Sequence, residues 1–292
     1  PQILLSRNAL YTSGDFSHDL RVRGDYQLWI NTKMQGWMAR QSIRRADITV
    51  APSRAFAHEL SEWTGREVVD IPHGFDQGAF FGDQDPLPAE TQARLADGAE
   101  DLRLLFVSHY NYYRNFETLF RAIPILKEQL RGKVKLFLTC RLNSEENPGS
   151  YSTDAASALA RDLAAQNDIV ELGAIPYNSL HHVYRACQIY VTPAYAESFG
   201  HPLVEAMASG LPIVASDLTV HREICEGAAL YFERFSPQAL AECVMRVQQS
   251  SELAERLSRS GLARAREFSW TRHVDRLLEL AQTLANSTVG AA

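Results

Sequence analysis

Along the chain, short apolar runs rich in β-branched residues alternate with longer stretches in which apolar positions recur every three or four residues. That alternation is the pattern of parallel strands joined by crossover helices, an α/β architecture. It predicts strands at Ile3 to Leu5, Ile48 to Ala51 and Val68 to Ile71, with helices at Tyr26 to Arg45 and Arg54 to Thr64. A connection rich in Gly, Asp and Pro follows, holding one short helix at Ala89 to Ala96. Strands are then predicted at Leu102 to Ser108, Val134 to Cys140, Ile169 to Leu172, Ile189 to Thr192, Ile213 to Ser216 and Leu230 to Phe232. Helices fill the gaps at Asn115 to Leu130, Asp154 to Gln166, Ser179 to Ala186, His201 to Ser209, Val220 to Cys225 and Pro237 to Ser250. The tail from Glu252 to about Ala285 reads as helical, with a break near Phe268-Ser269-Trp270. The chain divides accordingly into a partial unit over 1–75, a linker over 76–101, a complete doubly wound unit over 102–268 and a terminal helix over 269–292.

Composition narrows the class without naming a function. With 292 residues, 46% hydrophobic and 22% charged, the chain has the make-up of a globular protein of about two domains. Uncharged stretches such as Ala206 to Ser216 are short and broken by Gly and Pro, so no transmembrane helix is expected. Cys140, Cys187, Cys225 and Cys243 are far apart, fitting buried thiols in a reducing, cytoplasmic setting better than a zinc or disulfide framework. The net charge of −6 argues against nucleic acid as a partner. The chain starts at Pro1 and runs almost directly into a strand, from which an N-terminal truncation is expected.

In open parallel sheets ligands bind beyond the carboxyl ends of the strands, so the strand-to-helix loops are where chemistry is sought. The strand ending at Thr192 runs into Pro193-Ala194-Tyr195-Ala196-Glu197-Ser198-Phe199-Gly200-His201-Pro202, and a helix carrying Leu203 and Glu205 follows. Gly200 permits close backbone approach, and Pro202 suits a helix start. The free N–H groups there form a seat for phosphate. Glu197 and Glu205 flank that seat, and a carboxylate is a good bidentate acceptor for vicinal hydroxyls. The loop thus reads as a phosphate seat between two polyol clamps.

The run from Glu197 to Pro212 resembles the E-x7-E signature of the family 4 retaining glycosyltransferases, including the F-G pair after the first Glu and the E-A-M-A-x-G-x-P-I-V-A-S-D continuation. Ser42 to Ser53 and Ile71-Pro72-His73-Gly74-Phe75-Asp76 resemble the end of that family's N-terminal domain, where the hinge reads I-P-N-G-V-D. The resemblance implies a GT-B-like fold of two Rossmann-like doubly wound domains, the first of them incomplete here. It also implies a donor that is a nucleotide diphosphate sugar, with no cofactor and no metal. By motif position, Glu197 meets sugar hydroxyls, Ser198, Phe199, Gly200, His201 and Leu203 surround sugar and phosphate, and Glu205 holds the ribose. Gly173, Ala174 and Ile175 occupy the segment that presents backbone groups to the nucleobase. The G-R-x-x-x-x-K-G pattern that neutralises the diphosphate falls on Ser108 to Asn115, so that Ser108, His109 and Arg114 stand for Gly, Arg and Lys. Arg114 keeps the charge as a planar fork, whereas His109 exchanges a permanent cation for a titratable group.

On this resemblance the expected activity is retaining transfer of a sugar to a glycan, lipid-linked or small-molecule acceptor, as in cell-envelope or polysaccharide biosynthesis. Glu197 and Arg114 are the candidate catalytic residues. An epimerase on the same fold and a catalytically idle donor-binding module are the competing readings. Tyr26, Ile30, Met34, Trp37, Met38 and Ile43 follow helical spacing loosely, among Arg21, Arg23, Lys33, Arg40, Arg44 and Arg45. This stretch reads as a core helix with a solvated basic face; the alternative is a peripheral contact with an anionic membrane at its cytoplasmic face.

Overall fold

A computed structural model describes residues 1–143 and 151–289. The chain runs β1 (Ile3–Leu5), α1 (Gly14–Val22), α2 (Tyr26–Arg45), β2 (Ile48–Ala51), α3 (Arg54–Thr64), β3 (Val69–Asp70), α4 (Gln77–Phe80), α5 (Ala89–Ala96), β4 (Leu102–Phe106), α6 (Phe116–Gln129), β5 (Val134–Leu138), α7 (Asp154–Asp162), β6 (Ile169–Glu171), α8 (Leu180–Arg185), β7 (Ile189–Thr192), α9 (His201–Ala208), β8 (Ile213–Ser216), α10 (Thr219–Cys225), β9 (Ala229–Phe232), α11 (Pro237–Gln249), α12 (Ser251–Ala265) and α13 (Trp270–Val289).

Two all-parallel sheets result, one of three strands in the order β1-β2-β3 and one of six in the order β6-β5-β4-β7-β8-β9. In the larger sheet β4 lies between β5 and β7, with Leu102 to Phe106 in register with Val134 to Leu138 and Leu104 opposite Ile189. The strand order reverses there, so the helices that follow β4 and β7 pass to opposite faces of the sheet, the place where a ligand crevice forms. Strands β7 and β8 are buried at every position, as expected of strands covered on both faces. All four cysteines are free and buried.

Local chemistry explains the elements that reproduce the sequence pattern. In α3 the Ser53 hydroxyl accepts the Phe56 N–H, Phe56, Ala57, Leu60 and Thr64 point inward, and Gly65 closes the helix at φ +69°. Across the crevice Glu223 of α10 accepts from Arg54 N and Ala55 N at 2.8 and 2.6 Å, completing the same N-terminus from the other unit. The break before α13 is fixed by the hinge: a Cβ on Gly74 would lie 2.1 Å from Trp270 N, and His273 Nδ1 donates to Pro72 O at 2.9 Å.

Two features depart from the sequence reading. Helix α1 is not marked by periodicity, being nine residues long with only Phe16 and Leu20 buried. Both side chains are fully buried, in the core that surrounds Tyr112, Phe116 and Tyr195 of the larger unit. Asp19 accepts from the Tyr195 hydroxyl at 2.6 Å, and Arg23 bridges Asp19 and Glu117. Helix α2, read as a core helix, buries only Gly36 and Ile43. Tyr26, Ile30, Met34, Trp37 and Met38 are instead half or more exposed, because the helix is held by Trp29, whose Nε1 donates to Ser17 Oγ, and Leu28 on its opposite side.

Candidate functional site

The crevice at the strand-order reversal opens into a cavity of about 970 Å³. Two loops of the larger unit form its floor and are fastened together: Tyr195 N donates to Tyr113 O at 2.9 Å, and Asn115 Nδ2 donates to Pro193 O at 3.1 Å. Asn115 itself sits at φ +55°, which turns the chain from the short helical turn Tyr112–Arg114 into α6. The loop after β4 is tied at its start by Ser108 N, which donates to Thr139 Oγ1 at 3.1 Å. From the smaller unit, Arg7 to Leu10 and His73 complete the wall.

Ser108, His109, Arg114, Ala174, Ile175, Glu197, Ser198, Phe199, Gly200, His201 and Glu205 all line this cavity. Gly173 and Leu203 do not. Gly173 is the turn itself, at φ +81° and packed beside Arg141, and it delivers the two residues after it to the wall. Leu203 sits on the inward side of α9 and is 2% exposed, so the Leu side chain belongs to the core beneath Gly200.

Arg114 and Glu197, assigned from the sequence to different parts of a ligand, meet as an ion pair with Nη1 2.6 Å from Oε2. The guanidinium lies 4.9 Å above the Tyr113 ring. The second oxygen of Glu197 accepts from Ser198 N at 3.1 Å. Burial works against the Glu197 charge, but Arg114, with smaller contributions from His221 and the Ser198 N–H, more than offsets it and holds the carboxyl below its usual range. The pair therefore stays ionised. Arg114 Nε is buried and has no hydrogen-bond partner among the described residues.

Glu205 lies one turn into α9, 6% exposed. The Tyr184 hydroxyl donates to its Oε2 at 2.9 Å. Among the described residues no cation pairs with it, and burial pushes its carboxyl up to about 7 even though the Tyr184 hydrogen bond pulls the other way. The two carboxylates are thus unlike: one is a permanent anion, the other titrates near neutrality. Between them Gly200, at φ +86°, starts α9 without a side-chain cap, leaving the helix N-terminus to the cavity. Ser53 Oγ donates to Ser198 O at 2.8 Å, so the smaller unit braces the same loop.

Sequence reasoning missed Tyr184, Tyr113, Arg7 and His73 as parts of the site. Arg7 follows the end of β1, where the strand-end rule also points. His73 was legible as a departure from Asn in the hinge pattern. Nothing in the sequence marked Tyr184, which reaches Glu205 from a helix 21 residues earlier. Among the described residues, no group of three or more His, Cys, Asp or Glu side chains converges as a metal-binding set, and no helix is long and apolar enough to cross a membrane.

With this geometry in hand, comparison with known proteins gives consistent matches. The profile of the family described as glycosyl transferases group 1 matches residues 89–264. The chain is 28% identical over 246 residues to a D-inositol 3-phosphate glycosyltransferase of Actinosynnema mirum, covering 82% of this chain and 58% of that protein. It is 27% identical over 166 residues to O-antigen chain mannosyltransferase B of Escherichia coli, covering 57% of this chain and 42% of the other. The chain spans about half the length of the curated relatives it matches. Among solved structures, sucrose-phosphate synthase from Thermosynechococcus elongatus superposes with a TM-score of 0.74 at 22% identity, over 87% of this chain and 63% of that one. Anabaena HepE in complex with UDP-glucose superposes with a TM-score of 0.72 at 18% identity, over 97% and 72%. These likenesses show a GT-B fold whose first sheet has three strands here.

Proposed function

This chain belongs to the group 1 glycosyl transferases, and from that membership we propose that its cavity binds a nucleotide diphosphate sugar and transfers the sugar, with retention, to a hydroxyl acceptor. One observation carries the reading: a buried Arg–Glu pair, an uncapped helix N-terminus and a second, uncharged-leaning carboxyl converge on one wall of one cavity. The diphosphate lies at the start of α9, between its backbone N–H groups and the Arg114 side chain that lines the same cavity. Glu205 takes the ribose hydroxyls. Glu197, kept ionised, takes hydroxyls of the sugar and orients the anomeric carbon. Ala174 and Ile175 offer backbone groups to the base.

In the transition state negative charge grows on the leaving diphosphate and positive charge on the sugar ring. The helix N-terminus and Arg114 stabilise the first, and the Glu197 carboxylate lies near the second. With Glu197 bound to Arg114, its oxygen is a poor nucleophile, which favours attack of the acceptor on the face the diphosphate leaves over a covalent intermediate. Arg114 and the helix N-terminus do the work of a metal, so turnover without one is part of the proposal. The solved complex of HepE with UDP-glucose supports a donor of this chemical class. The exposed stripe of α2, flanked by Lys33, Arg40, Arg44 and Arg45, supports a peripheral contact with anionic lipid, as a lipid-linked acceptor requires.

The test is a calorimetric and thermal-shift screen against UDP, GDP, ADP and their sugar conjugates, with and without added Mg2+ or Mn2+. Stabilisation by one nucleotide family without metal is expected, because a ligand of the native state alone raises stability by mass action. A folded chain that responds to none of them overturns the reading. One that binds donor but never turns it over is an idle binding module.

A further inference from the structure

His73 lies in the hinge, 128 residues before His201 and outside the motif run. Its ring stacks on His201 with centroids 5.1 Å apart and planes at 16°, and its Nδ1 is 3.1 Å from His201 Nε2. Phe199 packs at 5.2 Å, Trp270 at 5.5 Å, and His273 meets the ring edge-on at 5.5 Å. Two segments far apart in sequence therefore converge on one ring: the Phe199–His201 stretch that leads into α9 and the start of α13.

A neutral imidazole pair holds one proton between the two facing nitrogens, and its placement decides what His201 shows the cavity. If His201 donated from Nε2, its Nδ1 would present a lone pair to an anion at the α9 N-terminus. If His73 donates from Nδ1, His201 carries its proton on Nδ1 and offers it as a hydrogen-bond donor. An anion selects the second arrangement. We propose that His73 is a positioning residue for the donor diphosphate: its Nδ1–H fixes His201 in the one tautomer and ring orientation that donates to a phosphate oxygen. The inference rests on the donor-site reading above.

The surroundings keep this pair neutral. Burial first, then His201, His273 and Arg7, bring His73 down to about 4. His201 is lowered by burial and by Arg7, against the opposing pull of Glu197. His273 is spoken for separately, since its Nδ1–H is committed to Pro72 O.

Two substitutions separate positioning from packing. His73→Asn puts an amide N–H close to the place of Nδ1 but removes the ring; His73→Phe keeps the ring and removes the donor. The probes are UDP, GDP and ADP with the matching monophosphates, measured by calorimetry at pH 7.5. His73→Phe is expected to weaken diphosphate binding by about tenfold, the scale of one hydrogen bond to a charged group, and to leave the monophosphate within about twofold, an interval well inside that scale. His73→Asn is expected to match the unsubstituted protein on both. In a His201→Phe background, His73→Phe adds no further loss. Thermal melts without ligand check each fold, with His73→Leu standing in should the Phe variant not fold. Diphosphate affinity unchanged in His73→Phe, or lost in His73→Asn as much as in His73→Phe, overturns the role of His73 alone. A parent protein that binds none of the three nucleotides overturns the donor-site reading and this inference with it.

Discussion

Nucleotide-sugar affinity is expected to fall steeply with acid through Glu205. Its carboxyl titrates near 7 in the protein, against an ordinary value of 4.5. On the proposed assignment, ribose hydroxyls donate to the ionised form, so binding must expel the proton that burial holds on. If the complexed carboxyl returns to its ordinary value, linkage gives a dissociation constant about tenfold weaker at pH 6 and roughly 70-fold weaker at pH 5 than at pH 8. The donor itself is the ligand to use, because a phosphodiester-linked diphosphate keeps its charge across this range whereas a terminal phosphate titrates near 6. Calorimetry in two buffers of different ionisation enthalpy counts the protons released: close to one at pH 6, close to none at pH 8. Glu205→Gln removes the titration and is expected to bind weakly with a flat profile. Equal pH slopes in the parent and the Gln variant would falsify the assignment of that proton to Glu205.

The same carboxyl bears on stability with a definite sign. Because its folded pKa is raised, the folded state is penalised progressively as pH climbs from 4.5 to about 7, by an eventual total of about 3 kcal/mol; Glu205→Gln is therefore expected to melt higher than the parent at pH 8 and level with it at pH 4.5, as read from denaturation curves at the two pH values. Glu197→Gln, which keeps an oxygen for Arg114, is expected to leave nucleotide affinity within about twofold while donor turnover falls about 100-fold, and a parallel loss of nucleotide affinity defeats the division of labour between the two glutamates. Gly74→Ala drives a methyl into the backbone at Trp270 and is expected to cost about 3 kcal/mol in denaturant unfolding. Binding to vesicles of anionic lipid is expected to drop in the double variant Met34→Glu and Trp37→Glu, and equal sedimentation with both proteins removes α2 from the membrane contact.

The elements most legible in the sequence are those whose local signals agree with their burial. Strands β7 and β8 each open on three apolar residues and are buried throughout because both faces are covered, and α3 carries its own cap and stop. Glu197 and Glu205 were picked out by the resemblance of the run around them rather than by their own surroundings, and both line the cavity. What the spacing hid is interaction across long separations: the Arg114–Glu197 contact joins residues 83 positions apart, and Tyr184 alters Glu205 from another helix. Helix α1 was illegible for a different reason. Its two buried positions serve a core built mainly by residues nearly a hundred positions later, so no amphipathic run announces it. In α2 periodicity was present but did not say which side would be covered, and the apolar stripe is the open side.

The insertion of α1 into the larger unit makes the order of the chain a poor guide to how the molecule can be cut. A protease or a gene boundary acting at the hinge would release the six-stranded half without Phe16 and Leu20, leaving a hollow beside Tyr112 and Phe116. Each of those side chains contributes roughly 2 kcal/mol by burial, a large share of the 5–15 kcal/mol or so that holds a typical domain together. A recombined protein that borrows its six-stranded half from this chain would thus need residues 14–22 from the same source, or a replacement wedge of the same shape. Swaps that respect the linker but ignore α1 should yield halves that are made and degraded, whatever side chains line their cavity.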